Sequence, residues 1–187
     1  EASAAKTPEA SAAKTPEGPA ARVVVAYALQ RELDAGRPYA VEAKALARLG
    51  ADPAALAALS TFAEKGAPTA AQLKTDFAPA AKRIRALEDA SGDLTEHLMK
   101  GASKLVRVRP SGQAPMTEAQ TVEDKVSHIE AALTHGDFAQ ASALFAALPE
   151  AAQNEAKDFG AALRARVDAA RAAEDLLHGA IAALVET

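Results

Sequence analysis

Between Ile129 and Leu184 the chain reads IEAALTHGDFAQASALFAALPEAAQNEAKDFGAALRARVDAARAAEDLLHGAIAAL, and its punctuation leaves little freedom of fold. The strong interruptions are His135-Gly136-Asp137 and Leu148-Pro149-Glu150. A glycine after a helical run can close the helix in a left-handed conformation, and an aspartate can then cap the next one. Proline ends a helix because it cannot donate to the preceding turn. The stretch is therefore two or three helices joined by minimal turns.

Alanine extends this conclusion to the whole chain. It supplies 52 of 187 residues, against nine aromatic residues and methionines together. Alanine loses no side-chain entropy in a helix and has little to pack on a pleated surface. The expected fold is all-α, with short antiparallel helices in a bundle or hairpin array, thin cores and a long C-terminal helix.

Four segments follow. Residues 1–18 repeat EASAAKTP in tandem and read as a low-complexity linker. Residues 19–68 form a helical hairpin region. Its first helix starts after Pro19 and ends at Gly36, with Val23, Ala26, Tyr27, Gln30 and Leu33 on its inward stripe. A second helix runs from about Tyr39 to Leu49, and Asp52 caps a third with Pro53 at its first position and Leu56, Leu59 and Phe62 facing inward.

Residues 69–110 begin with a helix at Thr69 that Pro79 kinks or breaks. Asp93 caps a further helix after Ser91-Gly92, carrying Leu94, Leu98, Gly101, Leu105 and Val108. Residues 117–187 hold the terminal helices, the last running from about Glu150 to Val185. At 1.5 Å per residue that helix is roughly 50 Å long. Its stripe of Phe159, Leu163, Val167, Leu177, Ile181 and Leu184 outruns the short helices before it.

The chain has no cysteine, which excludes disulfides and thiolate metal sites. His97, His128, His135 and His178 lack a close metal-ligand spacing, and no nucleophile, base and orienting group assemble. No metal, cofactor or catalytic residue is expected, and no enzyme. No run approaches the roughly 20 apolar residues of a membrane span, so any anchor is expected outside these residues.

Charge is unevenly placed. Residues 1–81 carry nine basic and nine acidic side chains, residues 82–109 seven and four, and residues 110–187 five and twelve. A basic segment between neutral and acidic ones suits an anionic partner. Nucleic acid is not expected, since residues 69–109 hold no stacking aromatic apart from Phe77. Basic residues beside an apolar stripe also suit an interfacial helix, cations on head groups and stripe in the acyl boundary. The residues concerned are Leu73, Phe77, Lys82, Arg83, Ile84, Arg85, Leu98, Lys100, Lys104, Leu105, Arg107 and Arg109. An ordinary surface helix with its apolar face in a core has the same pattern.

The segments HGDFAQASALFAALP and EAKDFGAALRARVDAARAAEDLL resemble the C-terminal signature of the mitofilin family. That signature has a helix ending in a Gly-Asp turn, a short Ala-rich helix, a Leu-led turn and a long helix opened by an aromatic. Phe159 stands where the family often has Trp. Upstream, APTAAQLKTDFAPAAKRIRALE resembles the family segment before the signature, and Leu98 to Pro110 is similar to bacterial mitofilin-like and HemX-like proteins.

The resemblance implies a scaffold that organises a bacterial inner or intracytoplasmic membrane. This part would face the periplasm, bind anionic phospholipid through its amphipathic segment and self-associate through its terminal helices. Phe159, Leu163, Arg164, Val167, Leu177 and Ile181 are the expected oligomer or partner interface, with an outer-membrane or envelope protein as a further partner. The alternative is a helical-repeat, protein-binding adaptor of the envelope without lipid affinity of its own.

Overall fold

The computed structural model describes residues 17–102 and 121–185, with side chains for 18–87 and 121–185. Among the described residues it contains eight helices and no strand. They are α1 (Glu17–Asp34), α2 (Ala40–Arg48), α3 (Pro53–Ser60), α4 (Ala70–Ala102), α5 (Val122–His135), α6 (Phe138–Ala146), α7 (Glu150–Glu155) and α8 (Lys157–Val185). The fold is all-α and ends in a long helix, as the composition implies.

Two compact units form. One takes the described residues up to Gly66 together with those from Ala170 onward; the other takes Ala67–Ala169. The boundary falls inside α8. No glycine or proline interrupts α8 at that point, so one continuous helix contributes to both units.

In the first unit α2 packs against α1 and α3. Ala26, Leu29 and Leu33 of α1 are buried, whereas Tyr27 is 62% exposed. The inward stripe follows the 3-4 spacing through Leu29, which leaves Tyr27 about 100° away on the helix wheel. Tyr39, which opens α2, is fully buried; its hydroxyl donates to the Leu59 carbonyl at 2.9 Å and its N–H to that of Ala63 at 2.9 Å. Leu46 and Leu59 complete this core. Asp52 accepts from the Ala54 N–H and caps α3, with Pro53 in the first turn, as expected. Gly66 has φ +83°, and a Cβ there would overlap the Gly36 backbone.

In the second unit α5 packs against α4 and α6, and α4 against α7. Thr69 and Gln72 exchange hydrogen bonds ahead of α4, while Thr121 and Asp124 form a capping box on α5. Gly136 closes α5 at φ 74°, and the Asp137 side chain accepts from the Gln140 N–H to cap α6. The exposed end of α6 is finished by side chains. Lys125 donates to the Ala147 carbonyl at 2.9 Å, and Gln153 to those of Ala146 and Leu148.

Pro79, expected to kink or break its helix, lies inside α4 without breaking it. Both Pro79 and Thr75, whose carbonyl the ring orphans, are solvent-exposed, so water can take the missing bond's place. Ser91-Gly92 does not end a helix either, and Asp93 lies within α4. A glycine costs about 1 kcal/mol in a helix interior but does not forbid it. The final helix is in fact two, because Ala156 leaves helical geometry at φ −127° and ψ 27° between α7 and α8.

Candidate lipid-binding and assembly surfaces

The first half of α4 turns one face inward. Leu73, Phe77, Ala80, Ala81 and Ile84 recur at helical spacing and are all buried. They join Val126, Ile129 and Leu133 of α5, Phe145 of α6, and Phe159 and Leu163 of α8 in one core. Three rings meet there. Phe159 lies with its centroid 4.7 Å from Phe77 and 5.6 Å from Phe145, the latter edge-on at 67°. Gly160 permits this approach, since a Cβ there would overlap the Phe145 ring.

Leu73, Phe77 and Ile84 are therefore core residues and not a membrane-facing stripe. Withdrawing them would expose the apolar side chains of α5 and α8 that they cover. Each such side chain is worth about 1.5–3 kcal/mol when fully buried.

The cations of this half divide. Lys82 is exposed. Arg83 donates to the Glu155 carbonyl at 2.9 Å and lies 3.3 Å from its carboxylate, so it caps the end of α7. Arg85 donates through Nε to Glu123 at 2.7 Å and faces Glu130 at 3.3 Å. Those two carboxylates, Glu123 foremost, push the Arg85 pKa up. Arg83 and Arg85 thus hold α4 to α7 and α5. Residues 88–102 are helical, but the side chains of Leu98 and Lys100 lie outside the described residues, as do Lys104, Leu105, Arg107 and Arg109.

The expected assembly surface also divides. Phe159 and Leu163 belong to the core just described and are corrected from interface to interior. Arg164 is exposed and Val167 half-buried. Arg166, its neighbour, is buried with its guanidinium 4.6 Å above the Phe138 ring. Beyond it, the inward stripe of α8 continues through Ala169, Ala173, Leu176 and Ala180. Leu177 is half-buried, and Ile181, Leu184 and Val185 are exposed by 43%, 43% and 82%. The outward apolar surface of α8 is thereby confined to its last turns. Gly179 lies among them with open space where a Cβ would project.

A shallow cleft of about 380 Å³ opens between α4 and the α7–α8 junction. Its apolar residues Leu73 and Phe159 are buried, and its Arg83 already pairs with Glu155. Asp76 and Asp158 add carboxylates to its lining and Lys157 an amine. Among the described residues no group of three His, Asp or Glu side chains could hold a metal ion. No described helix is long and apolar enough to cross a membrane.

Comparison with protein-family models, curated proteins and solved structures finds no significant match to this chain.

Proposed function

We propose that this chain is a non-enzymatic, mitofilin-like scaffold that organises an anionic bacterial inner membrane from its periplasmic side. The observation that carries the reading is the mismatch between α4 and its core. Among the described side chains of α4 the last buried one is Ile84 and Leu87 is 40% exposed, while the helix itself continues to Ala102. The sequence beyond Ile84 places Leu94, Leu98, Leu105 and Val108 among Lys100, Lys104, Arg107 and Arg109. Cations near an anionic surface contribute about 1 kcal/mol each, and an apolar stripe beside them adds burial in the acyl boundary. Lipid contact is accordingly assigned to residues 88–109, with the folded helices around Phe77 as its support.

Self-association is assigned to the end of α8, where Leu177, Ile181, Leu184 and Val185 follow an i, i+4, i+7, i+8 spacing.

Co-sedimentation with anionic and with neutral vesicles tests the lipid assignment. The wild-type chain should pellet with anionic vesicles only. Reversing Lys100, Lys104, Arg107 and Arg109 to Glu should abolish this while leaving the helical circular dichroism intact. Unchanged binding by that folded variant would sink the assignment.

A second reading, a protein-binding envelope adaptor, is favoured by the exposed Val24, Tyr27 and Val41 on α1 and α2. Absence of lipid binding by the wild-type chain, together with binding to an envelope protein that a Tyr27→Ala change abolishes, would select it.

A further inference from the structure

We draw no further inference here: the strongest candidate, the exposed apolar patch of Leu177, Ile181, Leu184 and Val185 on the last turns of α8, belongs to the assembly surface already proposed, and nothing in the structure shows what covers it.

Discussion

Phe77 of α4 and Phe159 of α8 pack ring to ring, 4.7 Å between centroids and tilted by 36°. One was expected to enter a bilayer and the other to meet a second protomer, yet each is the other's neighbour in a single core. Phe77→Ala and Phe159→Ala should each lower stability by about 3–5 kcal/mol, the range for deleting a buried phenylalanine. Denaturant unfolding reads this directly. If Phe77→Ala kept the wild-type midpoint and instead weakened vesicle binding, the inward placement of this face would be wrong.

Two glycines of α8 should respond to alanine in opposite directions. At Gly160 the new methyl would collide with Phe145, whose ring is fixed edge-on against Phe159. The overpacking cost of about 1–3 kcal/mol should outweigh a helix-propensity gain of about 1 kcal/mol. At Gly179 the methyl meets nothing, so only the gain remains. Gly160→Ala should therefore melt below wild type and Gly179→Ala above it. A Gly179→Ala protein no more stable than wild type would mean that the space beside position 179 is not open.

Much of this architecture is legible in the sequence alone. Asp52, Asp137 and Gly136 announce their turns because capping and left-handed geometry are local demands that few residue types meet. The α8 core stripe is less legible, since four of its seven buried apolar residues are Ala169, Ala172, Ala173 and Ala180. In a chain with 52 alanines, an alanine marks neither face, so the large side chains drew the stripe toward Val167 and Ile181. The lipid face misled for a different reason. An apolar stripe flanked by cations describes an interfacial helix and a core helix equally well. Only the carboxylates of Glu123, Glu130 and Glu155, remote in sequence, show that Arg83 and Arg85 serve the fold.

Acid should loosen the α1–α2 turn late. The Arg37 guanidinium, hydrogen-bonded to Glu32 and assisted by Arg31, holds the Glu32 carboxyl down to about 2 from an ordinary 4.5, against some opposition from desolvation. A carboxyl depressed in the folded state favours folding above its unfolded pKa. That contribution fades as pH falls from about 4.5 and is gone below about 2. Carbon-detected NMR titration should find Glu32 still ionised at pH 3. In Arg37→Ala its midpoint should move up toward 4.5, and no movement would mean that another group sets it.

Charge reversal separates the cations that build the fold from those assigned to lipid. Arg85 and its two carboxylates are partly exposed, at 32%, 52% and 37% of their side-chain surface. An Arg85/Glu123 double-mutant cycle should therefore return only about 0.2–1 kcal/mol of coupling, falling as salt is raised. Arg83→Glu with Arg85→Glu goes further, placing each new carboxylate against existing ones. That variant should lose stability in urea while retaining anionic-vesicle binding at temperatures where it is folded. The Lys100, Lys104, Arg107 and Arg109 reversal should do the opposite, sparing the unfolding midpoint and losing the vesicles. If the two variants lost vesicle binding equally while both remained folded, lipid contact would extend over the whole of residues 82–109, and the Arg83 and Arg85 ion pairs would have to open at the membrane.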